Sequence, residues 1–344
     1  MRKRKKGCLG IVLVIAILLV IIGFSAKAML SGGGKNSGKE VILTIPSGST
    51  TSDIADILKE NGVISNELMF KLKSKFDGYD GTFKQGTYSL ETGSSLESIM
   101  EILKSGSNIA ESNRITIPEG YTVPEIARYL DEKGIVTYDD FISTVNIGDF
   151  DYEFVKAIPE GRAYRLEGYL FPDTYYISDN ATSKEIIDKM LSRFSSVYTE
   201  ENIKKAEDLG LTFDEAIIVA SMVEAEIVAP NERPIAAGVI YNRLEIGMPL
   251  QIDSTVLYAM EVKKEVVTYD DLKVSSPYNT YKNNGLPIGP ISNPGELAIE
   301  ASLNPDDNNY IYYVLKDRTS GEHYYTDNYD DFLKAKESYK AHFN

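Results

Sequence analysis

Cysteine is all but missing from this chain, tryptophan is missing altogether, and only two histidines occur. With Cys8 alone, no intrachain disulfide can staple the fold, so the body must rest on an ordinary apolar core. His323 and His342 cannot assemble a His/Cys zinc site, and they offer no Ser-His or Cys-His catalytic set. Chemistry is left to carboxylates, hydroxyls, amides, lysine and arginine. Acidic residues are also missing from one place: none precedes Glu40, although eight of the 36 basic residues do, so all 51 acidic side chains fall in the remainder. A body this acidic argues against nucleic acid, or any anionic polymer, as a tightly held partner.

Charge is absent from Gly7 to Ala26, a run rich in Ile, Val and Leu that follows Arg2, Lys3, Arg4, Lys5 and Lys6. About 20 such residues can span a bilayer, and the basic cluster ahead of them favours a cytoplasmic N-terminus with everything after the span outside. A cleaved signal peptide competes, because Ala26-Lys27-Ala28 has a small-x-small pattern. The apolar run is longer than the usual 7 to about 15 residues of a signal peptide, which favours an uncleaved anchor. The expected layout is a cytoplasmic tail over 1–6, a membrane anchor over 7–30 and a Gly/Ser-rich linker over 31–39. At 344 residues, the chain leaves room beyond these for two domains.

The clearest internal signal is a repeat. TIPSGSTTSDIADILKENGVI from Thr44 recurs as TIPEGYTVPEIARYLDEKGIV from Thr116, with ten identities in 21 positions. Each copy reads as a short strand, a Pro-x-Gly turn and an amphipathic helix, with Ile54 and Leu58 matched by Ile126 and Leu130. Gly62 and Gly134 stand where those helices would stop. A weaker echo runs over residues 88–106. The pattern resembles the LysM-like module, a small glycan-binding fold, over 40 to about 108; a compact spacer without a ligand stays open as the alternative. The expected domains are a LysM-like one over 40–110 and a catalytic one over 111–344, whose part 111–180 holds the second repeat.

The stretch VASMVEAEIVAP, residues 219–230, places two carboxylates in an otherwise apolar run. Thr212-x-x-Glu215 is a capping box, so a helix is expected from Thr212 toward Pro230. Helical spacing puts Ile217, Ala220, Ser221 and Val228 on the face of Glu224 and turns Glu226 about 200° away. The two acids therefore cannot act as a facing pair. A carboxyl on an apolar wall has its charged form disfavoured, which suits a general acid; an exposed residue in a last helical turn is the plainer alternative. Asn231 is placed to cap a second helix ending at Gly247, and Asp253 or Ser254 to cap a short one through Tyr258. Thr182 to Phe194 and Glu296 to Leu303 read as helices, and 164–177 as aromatic-rich strand and turn. Residues 275–305, dense in Pro, Gly, Asn and Tyr, read as a binding loop leading into that last helix.

Five pieces in order, EGYLFPDTY, ASMVEAE, VIYNRL-x-IGMPLQ-x-D-x-T-V-x-Y, SPYNTY and GLP-x-GPI-x-NPG, resemble the YceG-like endolytic murein transglycosylases across residues 40–344. The resemblance implies an α+β protein: one N-terminal transmembrane helix, a LysM-like strand/helix module, and a helix-rich catalytic domain with small sheets. It implies a single-pass membrane enzyme with its catalytic domain outside the cell membrane. Such an enzyme cuts nascent peptidoglycan glycan strands between N-acetylmuramic acid and N-acetylglucosamine, leaves 1,6-anhydro ends and so ends strand elongation. Glu224 occupies the position of the family's catalytic glutamate, the first after A-S-x-V. Ser221, Gln251, Asp253, Thr255, Tyr278, Asn279 and Tyr281 are the candidate substrate contacts. No metal or cofactor is implied; the partners implied are glycan strands and the peptidoglycan synthases of elongation or division. Ala225 and Ser254 depart from the family's frequent Lys and Pro, which leaves the acid in place and changes its surroundings. Two other functions remain open: a non-catalytic glycan-binding scaffold, and a muramidase-type hydrolase with Asp253 as second carboxylate.

Overall fold

The computed structural model describes residues 38–107, 114–178, 180–264, 266–317 and 319–341. The expected membrane anchor, its tail and nearly all of the linker lie outside the described residues. Among those described, no helix is long and apolar enough to cross a membrane. The chain divides into two compact units between Arg114 and Ile115.

In the first unit, β1 (Glu40–Ile45) pairs antiparallel with β2 (Gly86–Glu91), Leu43 opposite Tyr88 and Ile45 opposite Gly86. Alternation sends Leu43 and Ile45 inward and leaves Thr44 exposed. Three helices cover that face: α1 (Thr51–Glu60), α2 (Glu67–Phe76) and α3 (Leu96–Ser105). Their apolar stripes, Ile54 and Leu58, Phe70, and Ile99 and Leu103, close one core with Tyr88 and Leu90. A reciprocal capping box starts α1: Thr50 accepts from the Asp53 amide while Asp53 accepts from the Thr50 amide.

The second unit opens with the same grammar. Strand β3 (Arg114–Thr116) pairs with β4 (Thr174–Tyr176), and α4 (Val123–Glu132) begins at a Thr122–Glu125 capping box and buries Ile126 and Leu130. Gly134, like Gly62, takes a positive φ just beyond its helix, at 68° against 69°. Then follow α5 (Tyr138–Ile147), the short α6 (Glu153–Lys156), α7 (Ser183–Phe194) and α8 (Glu200–Asp208). Of the aromatic stretch 164–177, only Thr174–Tyr176 is strand, and turns occupy most of the rest.

Helix α9 (Phe213–Glu226) is the axis of this unit. Phe213 and every residue from Ala216 to Val223 are buried. Ile217 and Ala220 join the core that contains Leu166, Phe194 and Ile299, while Ile218, Val219, Met222 and Val223 join a second core with Ile240, Leu250, Tyr278 and Ile291. A helix apolar all round is one buried all round. Around it lie α10 (Arg233–Glu245), α11 (Asp253–Met260) and α12 (Glu296–Leu303). The hairpin β5 (Tyr312–Asp317) and β6 (Glu322–Thr326), with α13 (Tyr329–Ala341), completes the unit.

Two details differ from the sequence reading. Helix α9 ends at Glu226 because Ile227 is extended, so Val228 leaves the Glu224 face and is 77% exposed. Pro230 disfavours helix in the residue before it and starts a 3-10 turn over Pro230–Glu232. As a result Asn231 is no cap, and α10 starts at Arg233 without a side-chain cap.

Candidate active site

Glu224 stands in the last turn of α9, where the helix emerges from the core. Its side chain is only 7% exposed and both carboxylate oxygens are held. Oε1 accepts from Arg233 Nη2 at 2.8 Å, and Oε2 accepts from the Gly295 backbone N–H at 3.1 Å. Gly295 is the residue that caps α12, so the carboxylate sits at a helix N-terminus, where negative charge is favoured. Burial pushes the Glu224 carboxyl above its ordinary value; Arg233 and the Gly295 N–H pull it back, Glu119 pushes it up, and the net direction is upward. The sequence supplied the apolar approach but not the guanidinium. The group that opposes proton retention comes from the start of α10, nine residues on.

An open cleft of about 840 Å³ runs beside this end of α9. Its walls include Glu119, Gly120 and Tyr121 from the turn ahead of α4, Ala225, Tyr258 and Ser292. The neighbours of Glu224 in sequence and in space thus line a space that an extended polymer could enter.

Buried hydrogen bonds hold these segments together. Asn293 is fully buried: its Oδ1 accepts from the Gly168 and Leu170 amides at 3.0 and 2.9 Å, and its Nδ2 donates to the Tyr121 carbonyl and Glu167 Oε1, both at 2.9 Å. The Gly120 N–H donates to the Asn293 carbonyl at 2.9 Å. One asparagine therefore joins the 119–121 turn, the EGYLF segment and the NPG segment. Glu167, also fully buried, accepts from the Val123 amide and from Tyr258 Oη at 3.0 Å; burial carries its carboxyl up to about 8 against these donors. Gly168 takes φ of 89°, and a Cβ there would lie 2.5 Å from Pro290, so the EGYLF and GPI motifs require each other's shape.

Of the candidate substrate contacts, Ser221, Thr255 and Asn279 are fully buried and build the scaffold. Ser221 Oγ accepts from the Ile291 amide at 3.0 Å and fixes the loop leading to Asn293. Thr255 Oγ1 meets Thr280 Oγ1 at 2.9 Å, and Asn279 donates to the carbonyls of Leu272 and Val274. Tyr278 is 4% exposed and packs on Tyr258, ring centroids 4.8 Å apart. Gln251, at φ of 50°, is exposed and donates its N–H to the Thr280 carbonyl. Asp253 accepts from the Tyr281 hydroxyl. None of the seven belongs to the lining of this cleft. For Ser221, Thr255 and Asn279 the polar groups were legible as important but not as internal, because burial decides that role.

Glu226 points elsewhere, as its spacing required. Its Oε1 accepts from the Ser254 backbone N–H at 3.2 Å, which caps α11 from outside. Neither Asp253 nor Ser254 caps that helix by its side chain; Ile252 occupies the cap position.

Two residues at the site were missed. Arg233 had no motif to distinguish it from other helical arginines. Glu119 did have a signal: in the repeat it replaces Ser47, so the second copy puts a carboxylate where the first has a hydroxyl. A Cβ on Gly295 would lie 2.0 Å from Glu119 Oε1, so the glycine of NPG leaves room for this carboxylate.

Comparison with known proteins agrees with this architecture. The model of the YceG-like family matches residues 43–338. A protein of Bacillus subtilis (strain 168) named endolytic murein transglycosylase is 37% identical over 322 residues, 91% of this chain and 88% of its own length. One of the same name from Streptococcus pneumoniae serotype 2 is 34% identical over 86% of this chain and 58% of the relative. A crystal structure of a YceG-like protein from Listeria monocytogenes superposes with a TM-score of 0.58 at 31% identity, covering 87% of this chain and 99% of that one.

Proposed function

The chain belongs to the YceG-like family, and from that membership together with the cleft beside Glu224 we infer that it is an endolytic murein transglycosylase, a peptidoglycan lytic enzyme. The observation that carries the assignment of roles is the position of Glu224, a buried carboxyl pushed toward its protonated form beside an open cleft that its neighbours Glu119, Gly120 and Ala225 line.

A two-carboxylate hydrolase sets a second acid across the scissile bond to activate water or attack the sugar. A lytic transglycosylase manages with one. Protonated Glu224 gives its proton to the glycosidic oxygen as the bond from that oxygen to the N-acetylmuramic acid C1 breaks. The C6 hydroxyl of the same sugar then closes on C1, and its proton passes to the Glu224 carboxylate. The acid is regenerated, a 1,6-anhydro end is left, and no water is consumed. Arg233 and the Gly295 N–H steady the carboxylate formed in the first half. General acid catalysis of this kind contributes roughly 10² to 10⁴ in rate. Asp253, the second carboxylate of the muramidase alternative, is tied to Tyr281 and lies apart from the cleft lining.

The finer reading rests on sequence. The uncharged run behind five basic residues supports a single-pass anchor over 7–30 with the catalytic unit outside the membrane. Work on nascent strands there implies contact with the synthases that extend them. The repeat supports a LysM-like, glycan-holding role for the first unit.

The test is the purified full chain acting on uncrosslinked glycan strands, wild type beside Glu224→Gln. The variant should melt like wild type and lose roughly 10² to 10⁴ in rate. Retained cleavage would remove Glu224 from the mechanism.

A further inference from the structure

Arg233 is more than nine-tenths buried, and its two terminal nitrogens are used differently. Nη2 donates to Glu224 Oε1 at 2.8 Å. Nη1 is enclosed, has no hydrogen-bond acceptor, and has Glu119 Oε2 before it at 4.0 Å. A buried cationic N–H without an acceptor is costly, and a contact about 1 Å shorter would satisfy it. Glu119 is half-exposed and lines the cleft, so it has freedom to make that movement. Gly295 preserves the room: its φ of −77° would suit any residue, yet a Cβ there would strike the Glu119 carboxylate. The charged groups acting on Glu224 are Arg233 from α10 and Glu119 from the turn before α4, joined by the Gly295 N–H at the start of α12.

We propose that Glu119 is a positioning residue: by competing with Glu224 for the Arg233 guanidinium, it sets how firmly Arg233 holds the Glu224 carboxylate, and so how readily Glu224 gives up and recovers its proton. This deepens the reading of the site as a one-carboxylate lytic transglycosylase and rests on it. A glutamate paired only with a buried arginine would stay ionised and fail as an acid. A second carboxylate drawing on the same arginine offsets that, and because it faces the cleft its hold on Arg233 responds to what enters.

The sign follows from the charges. Removing Glu119 removes a like charge from Glu224 and leaves Arg233 to Glu224 alone, so Glu224 loses its proton at lower pH. The rate falls with rising pH once the acid is deprotonated, so that basic limb should move toward lower pH.

The experiment is the pH profile of kcat for the full chain on uncrosslinked strands, for wild type, Glu119→Gln, Glu119→Asp and Gly295→Ala. Glu119→Gln should move the basic limb down by about one pH unit, with a roughly tenfold loss of rate above it. Glu119→Asp should restore part of the shift. Gly295→Ala, which drives the Glu119 carboxylate away without removing it, should move the limb in the same direction. If Glu119→Gln folds and its limb coincides with that of wild type, the proposal is overturned, even if the rate is lower. If Glu119→Gln does not fold, Gly295→Ala carries the same decision. The same digests report the chemistry of the new strand ends, so failure of the transglycosylase reading is seen separately from failure of the Glu119 role.

Discussion

The two copies of the repeat share a backbone and differ in what their turns touch. Both place a Pro-x-Gly turn between a strand and a boxed helix, with Gly48 and Gly120 at φ of 81° and 76°. Around Gly48 there is open space for a Cβ; at Gly120 a Cβ would stand 3.6 Å from Cγ of Glu224. The middle residue of the turn is Ser47 in one copy and Glu119 in the other. At the start of the helix, Thr51 Oγ1 donates to Asp80 in the first copy, whereas the Val123 amide donates to buried Glu167 in the second. A generic supersecondary unit becomes part of a candidate active site by one changed side chain and by its neighbours.

That contrast can be broken where it is strongest. Asn293 is what joins the second turn to the rest of the site, and among the described residues nothing comparable is bonded to the first. Asn293→Ala leaves two buried amides, a carbonyl and Glu167 short of partners, and should cost about 3 kcal/mol or more. Chemical denaturation should show the loss in the second unit, with a first unit that unfolds as in wild type.

Glu167 sharpens the contrast through pH. Its carboxyl is raised in the folded chain from 4.5 to about 8, so between those values the native state holds a proton that the unfolded chain has released. The associated stability is full below about pH 4.5 and is lost as pH rises through about 8, by at most about 1.4 kcal/mol per pH unit. Denaturation midpoints of wild type should fall over that window, and Glu167→Gln should lack this component of the slope. An equal slope in both would place the proton elsewhere.

A smaller effect is expected at Ser221. Ser221→Ala leaves the Ile291 amide without its acceptor inside the core, at a cost of about 1 to 3 kcal/mol, with cleavage surviving in the folded fraction. The smallest effect belongs to the first turn itself. Ser47→Glu copies the second turn into the first and should change stability by no more than about 0.5 kcal/mol and the rate of cleavage not at all. A marked change in cleavage would mean that the first copy has a part in the chemistry.

Local grammar was readable from the sequence, and distant partners were not. The capping box at Thr212 and the stops at Gly62 and Gly134 depend on residues a few positions apart, and they stand where the spacing put them. The opposite facing of Glu224 and Glu226 is likewise helix geometry. By contrast, Ser221, Thr255 and Asn279 looked like ligand contacts because polar residues in motifs attract that reading, and only packing shows that each closes a buried hydrogen bond. The ends of α9 and α10 shifted because Pro230 and the extended Ile227 outweigh the helical pattern around them. Arg233 lies nine residues beyond Glu224 and reaches it only because the chain doubles back after the 3-10 turn, a fold-level fact with no local signature. Glu119 could have been found by asking where the two repeats disagree.

The central claim is that one carboxylate, Glu224, serves as acid and then as base, with the sugar's own hydroxyl in place of water. Mass spectrometry of the new strand ends, made by the wild-type chain in water labelled with heavy oxygen, tests this most directly. The account predicts 1,6-anhydro ends that carry no label. Reducing ends that have taken up the label would contradict it.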